Sequence, residues 1–460
     1  MTGSITGQLA EFSAGLRLEA IDAAITERAK LLLLDTIGIA VRARHDAEST
    51  PALLRAARRL GFMPGTATII GDAATANFAG AAWINGALAH SLDFDDTHAA
   101  GSIHPSAPIV PAALAAAEMA GASGRDTLAG IIAGYEVQIR LSLALVPSDH
   151  YARGFHPTAT CGAFGAAAAA GRVLGLSAGQ MAHGFGICLS QTSGTMEFLA
   201  DGAWTKRFQA GYAAMNGLIA AGLAAEGFIG PAKPIEGVHG FLNSYAPHPV
   251  FEKACAGLGE RYETMAIAVK PYPSCRYSHA AMDGLIALRA QYGFAIDDIE
   301  SVEVGLPKTG WDIIGAPQEA KQNPKSIVDG QFSMPFLAAV ALRQGGMGWD
   351  DYARHLHDPE TLALTRRVTS VADPQAEAEY PRQMSGVARV RTRRGNFEKF
   401  VAIPKGEPEN FPGLPELRQK FDALAGPYLP QSALDRLAET LTGLDRANTV
   451  NAMLALTRPN

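Results

Sequence analysis

The sequence is short of cysteine. It holds four, Cys161, Cys188, Cys255 and Cys275, in 460 residues. None forms a C-x-x-C pair, so neither a zinc ribbon nor a redox pair is signalled. So few cysteines in so long a chain do not make a disulfide scaffold. Reduced thiols and a cytoplasmic location are the expectation. Positive charge is not in surplus either: 39 Lys and Arg stand against 45 Asp and Glu, a net charge of −6. That argues against a broad basic surface and therefore against a nucleic-acid partner. An anionic substrate then needs a local cluster of cations. No glycine-rich phosphate loop of the G-x-G-x-x-G or G-x-x-x-x-G-K type is read in a strand–helix context. No G-x-S-x-G nucleophile elbow is read in the sequence. Met1 to Thr6 carries no basic region ahead of an apolar stretch, so no signal peptide is expected. The most apolar windows are rich in Ala and Gly and are broken by charge within about 18 residues, so no membrane partner is expected.

What is present is an ordinary globular mixture, 48% hydrophobic and 18% charged. It is long enough for two cores rather than one. Over the first 230 residues, apolar runs of helical length follow one another: 25–41, 77–90, 106–120, 127–145, 158–174, 177–189 and 211–225. Few β-branched alternating runs interrupt them, so this part reads as all-α. The texture changes after about residue 265. A helix over 278–292 leads into Ile299-Glu-Ser-Val-Glu-Val-Gly-Leu306, whose alternation predicts a strand. A further helix is read over 331–342. The runs 386–395 and 396–403, divided at Gly395, read as a hairpin. The expected fold is mainly α. A large helical domain spans 1–265 and is rejoined by 406–460, and a smaller α+β domain spans 266–405. The Pro-rich stretch 404–415 reads as a linker.

Four segments carry polar groups that a helical core tolerates only with partners or a ligand, because burying a neutral polar group unpaired costs roughly 2–7 kcal/mol. The first runs from His90 through Asp93, Asp95, Asp96, Thr97 and His98 to His104. Crowded carboxylates repel, which raises at least one pKa unless a cation is near and suits acid/base work. Metal ligation by Asp and His, or helix capping by Asp95, Asp96 and Thr97, are the competing readings. The second is Gly154-Phe-His-Pro-Thr158, where His156 and a helix N-terminus can together hold a carboxylate, or where Thr158 and Thr160 merely cap. The third holds Thr205, Lys206 and Arg207 ahead of a small-residue helix. Lys206 is placed to neutralise a substrate carboxylate, against the alternative of a solvated basic pair. The fourth, Lys270 to His279, is a Pro-stiffened stretch at the expected domain boundary. Its Arg276 can bind a carboxylate bidentately or make an interdomain salt bridge.

Taken in order, these segments resemble the MmgE/PrpD family. The matching stretches are Leu34-Asp-Thr-Ile-Gly38, Asp93-Phe-Asp-Asp-Thr97, His104-Pro-Ser-Ala-Pro108, Gly154 to Thr158, Asp201 to Gly211, Lys270 to His279 and, in the tail, Lys420-Phe421. That family includes 2-methylcitrate dehydratase, cis-aconitate decarboxylase and iminodisuccinate epimerase. The resemblance implies a homodimer, a lid-like second domain, and catalysis on a small polycarboxylate with no metal and no organic cofactor. It implies acid/base and charge-stabilising work by Asp93, His104, His156 and Lys206. Thr97, Arg207, Cys275, Arg276 and His279 are the implied substrate-binding residues. Cys275 stands where the decarboxylase branch has a His, and Gln209 where many relatives have one. A thiol, ordinarily titrating near ~8.5, is a poorer proton donor at neutral pH than an imidazole near ~6.5. The expected reaction is therefore loss of water from a 2-methylcitrate-like substrate. Decarboxylation of cis-aconitate, epimerisation of a substituted succinate and carboxylate binding without turnover are the alternatives.

Overall fold

The computed structural model describes residues 3–459. The chain divides into two compact units, one formed by residues up to Ala268 together with those from Leu414, the other by Val269–Gly413.

The first unit is helical. Its centre is made of Phe78–Ala89, Ser106–Ala120, Gly124–Leu145, Pro157–Val173 and Thr205–Ala225, flanked by Ala23–Asp46 and Ala178–Leu189. Small residues decide how closely these pack. A Cβ on Gly211 would lie 2.2 Å from the Trp83 carbonyl oxygen, so the 205–225 and 78–89 helices meet backbone to backbone. Gly134 and Gly165 face each other in the same way. This close approach explains why the Ala-rich 157–173 helix is buried on nearly every side. Among the described residues, the 124–145 helix is long and apolar enough to cross a membrane, contrary to the expectation from composition. It is instead a core helix, 94% buried along its most apolar window. Its charged pair, Glu136 and Arg140, is satisfied inside the unit: Glu136 accepts from the backbone of Glu263 and Thr264, and Arg140 donates to the carbonyls of Ala256 and Arg261.

One G-x-S-x-G string does occur, Gly175-Leu-Ser-Ala-Gly179. Helices flank it on both sides, and the Ser177 hydroxyl accepts from the Gln180 N–H in a capping box. Ser177 is a helix cap and not a nucleophile. Cys161 and Cys188 are free and fully buried, and burial pushes both thiols up to about 12, which leaves them unreactive.

The second unit carries a four-stranded sheet in the order 368–372, 299–306, 386–392, 395–401. The first pair is parallel and the other two are antiparallel. The hairpin turns through Arg393 and Arg394. Val302, Val304 and Leu306 meet the helices His279–Tyr292 and Met334–Gln344 in one core. The stretch expected as a linker is part of this unit: Val269 N–H donates to the Gly406 carbonyl, and Glu407 pairs with Arg276. The second boundary therefore falls at 413/414 rather than near 405.

Candidate active site

The first unit gathers its polar groups through the loop that follows the 78–89 helix. Asp93 takes a left-handed φ of 52°, a conformation Asp tolerates better than most residues, and this turns the chain back towards the helices. Asp96 reaches forward to the 106–120 helix, accepting from both the backbone N–H and the hydroxyl of Ser106. Burial pushes the Asp96 carboxyl up to about 8, so at neutral pH it is mostly protonated. Asp96 is thus a structural cap, as one of the competing sequence readings has it. Thr97 pairs with Ala268 in a two-residue strand, and its buried hydroxyl has no hydrogen-bond partner among the described residues.

Three imidazoles meet here. The ring of His90 lies 4.6 Å from that of His104 and 6.1 Å from that of His156, centroid to centroid. Proline sets two of them. His156 precedes Pro157, the first residue of its helix, and is held extended just outside it. His104 precedes Pro105 at the entry to the 106–120 helix. The buried carboxylate of Asp95 lies beside two of the rings: Oδ2 is hydrogen-bonded to Nδ1 of His90 at 2.7 Å and lies 3.2 Å from Nδ1 of His104, which makes no hydrogen bond among the described residues. Burial alone would raise the Asp95 carboxyl, but the two imidazoles outweigh it and hold it well below the usual carboxylate range. Burial lowers His90 to about 4 and holds His156 well below the usual imidazole value, so both are neutral at pH 7.

Lys206 supplies the positive charge. Its Nζ donates to Asp93 Oδ1 at 2.7 Å. Burial opposes its charge, yet Asp93 more than compensates and its pKa is raised. Its field helps keep His90 and His156 neutral. The 205–225 helix starts six residues before the stretch read as helix from sequence, so Lys206 and Gln209 stand three apart on one face. Lys206 meets Asp93, and Gln209 meets His156 Nδ1 at 2.9 Å.

Asp93, Thr97, His104, His156 and Lys206 therefore belong to one region of the first unit. Arg207 donates to Ser49 Oγ, and burial lowers its pKa while Asp93 opposes that shift. Cys275, Arg276 and His279 lie in the second unit. The Arg276 guanidinium is engaged by Glu407 of that same unit in a two-pronged ion pair. His279 opens the 279–292 helix against Tyr272. Sequence reading names His90 and Asp95 within the first segment and Gln209 as a departure from relatives, but gives none of the three a place in the site. The only hints were a buried-type carboxylate five positions after a His and a helical i, i+3 spacing from Lys206, and both are weak signals.

Ligating atoms of His90, Asp95 and His104 lie within 4.8 Å of one another, close enough to hold a metal ion. The 2.7 Å spacing between His90 Nδ1 and Asp95 Oδ2 is that of a hydrogen bond with the proton between them. His90 Nδ1 and Asp95 Oδ2 thus hold each other.

Comparison with known proteins decides the family. The model for the MmgE/PrpD N-terminal domain matches residues 7–254, and that for the C-terminal domain matches residues 272–446. The chain belongs to the MmgE/PrpD family. Cis-aconitate decarboxylase-like protein oryM of Aspergillus oryzae is 28% identical over 484 aligned positions, covering 99% of this chain and 97% of that one. Cis-aconitate decarboxylase of Aspergillus terreus is 28% identical over 482 positions, 98% and 95% of the two chains. The human cis-aconitate decarboxylase is 29% identical over 315 positions, covering 65% of this chain and 61% of its own. This MmgE/PrpD chain is a lyase.

Proposed function

We infer that this MmgE/PrpD lyase removes a proton from the carbon α to a carboxylate of a small di- or tricarboxylate and expels a β-hydroxyl, as a 2-methylcitrate dehydratase-like hydro-lyase. The observation that carries this reading is the set of three imidazoles beside the Lys206–Asp93 pair. A neutral imidazole takes the α-proton. The electron pair left on carbon forms the new double bond as the β C–O bond breaks, and an acid protonates the hydroxide so that it leaves as water. The Lys206 ammonium stabilises the negative charge that builds on the substrate carboxylate. His104 and His156 are the acid/base pair, and Thr97, with its unpartnered hydroxyl, is a donor to substrate.

Decarboxylation of cis-aconitate is the second reading, favoured by the names of the relatives. Cys275 in place of the decarboxylase branch's His, and Gln209 in place of the usual His, support the first. Incubated with cis-aconitate, the purified protein gives little itaconate by NMR. In a screen of citrate, 2-methylcitrate and substituted succinates it exchanges an α-proton with solvent or releases water. Rapid, stoichiometric itaconate moves the protein to the second reading.

The reaction proposed here uses no metal. Turnover persists through exhaustive dialysis against a chelator, because His90 Nδ1 and Asp95 Oδ2 are already engaged with each other. Activity lost to EDTA and restored by a divalent ion would identify those three as a metal centre instead.

A further inference from the structure

We propose that Asp95 and Gln209 are positioning residues that hold His90 and His156 with the proton on Nδ1, leaving Nε2 of His156 as the working nitrogen of the base. This rests on the acid/base reading of His104 and His156 given above and deepens it.

For His156 the argument closes on hydrogen-bond polarity. Gln209 donates its amide N–H to the Thr195 carbonyl at 2.9 Å, which fixes the orientation of the amide. Its other atom, Oε1, is then the one that faces His156 Nδ1 at 2.9 Å. A carbonyl oxygen only accepts, so Nδ1 must carry the proton. The neutral ring then has its lone pair on Nε2.

For His90 the selector is a carboxylate. Asp95 is fully buried and accepts only. Its Oδ2 lies 2.7 Å from His90 Nδ1, so that Nδ1 carries the proton. Low Asp95 and His90 pKa values agree with an ionised acid beside a neutral ring. The Nε2 of His90 is buried and has no partner among the described residues, consistent with a bare lone pair. His104 Nδ1 lies 3.2 Å from the same oxygen but makes no hydrogen bond to it, so Asp95 does not set the His104 tautomer. A carboxylate thus sets one tautomer and an amide another: Gln209 gives His156 an acceptor, and a backbone carbonyl keeps the amide oriented that way.

The test uses the full-length protein with 15N-labelled histidine. In the resting enzyme at neutral pH, long-range 1H–15N spectra assign His90 and His156 as Nδ1–H tautomers. A resting His90 or His156 protonated on Nε2 instead overturns the proposal. This measurement needs no substrate, so it stands or falls independently of the reaction. Asp95→Asn offers an amide that can donate as well as accept, and it moves His90 into a tautomer mixture. Gln209→Leu does the same to His156, whereas Gln209→Glu, which still accepts, restores the Nδ1–H form. With turnover in hand, Gln209→Leu lowers kcat at least about tenfold with KM nearly unchanged, the pattern of a mis-set general base. Equal losses in Gln209→Glu and Gln209→Leu would make Gln209 a packing residue and defeat its part. If Asp95→Asn does not fold, the wild-type spectrum still decides for Asp95.

Discussion

Alanine at His104 or at His156 lowers kcat by about 10²-fold or more, the usual scale for loss of a positioned acid or base. The two variants keep the wild-type circular dichroism spectrum. His156 sits just outside its helix with Nδ1 anchored on Gln209, and the ring makes no cap that the fold depends on. His104 touches the fold through its backbone N–H, which donates to Thr158 Oγ1, and alanine keeps that bond. Removing the side chains therefore removes chemistry before it removes structure. Stopped assays with the substrate found in the screen would measure the loss. Wild-type kcat in both variants would defeat the assignment.

Lys420→Met destabilises the protein by about 3–5 kcal/mol, the scale of breaking a buried ion pair from one side. Lys420 lies on the tail helix Leu414–Ala425, and its Nζ is 2.7 Å from Asp35 Oδ1. It also donates to the Phe94 carbonyl and lies over the Phe94 ring. Burial raises the pKa of Asp35, and Lys420 opposes that rise. Without Lys420 the folded-state pKa goes higher still, while the unfolded value stays at the ordinary one. The native state then binds the extra proton, so stability falls as pH rises through the folded pKa and recovers below it. The deficit of Lys420→Met against wild type consequently narrows as the pH of urea melts is lowered. Asp35→Leu combined with Lys420→Met regains most of the loss, because no charge is left buried. A deficit under about 1 kcal/mol, or one that widens in acid, would show that the pair does not support the fold. Because Lys420 also holds the Phe94 carbonyl next to Asp93, the variant's residual folded fraction is expected to turn over slowly as well.

Much of the fold is legible in local pattern. The helix read over 106–120 and the strand over 299–306 fall where the apolar periodicity puts them, because each buries one repeating face against its own unit. The family is legible too, since its motifs pair a proline with a histidine at helix entries, as at His104 and His156. Local pattern misplaced the start of the 205–225 helix. Thr205 to Gln209 is polar, and a polar first turn carries no apolar stripe to announce it. With that turn misread, Gln209 looked like a missing histidine rather than a hydrogen-bond partner of one.

The sequence by itself determined two kinds of unit, a helical one and an α+β one, and it put Asp93, His104, His156 and Lys206 forward as candidates. It did so because amphipathic periods and proline-set helix entries are local properties of the chain. Only the tertiary structure decided that the Asp95 carboxylate holds His90, that Arg276 is held by Glu407, and that Lys420 reaches across more than three hundred positions to Asp35. Those are pairings between residues far apart or turned by a single left-handed φ at Asp93, and hydrogen-bond geometry fixes them only after the helices have packed.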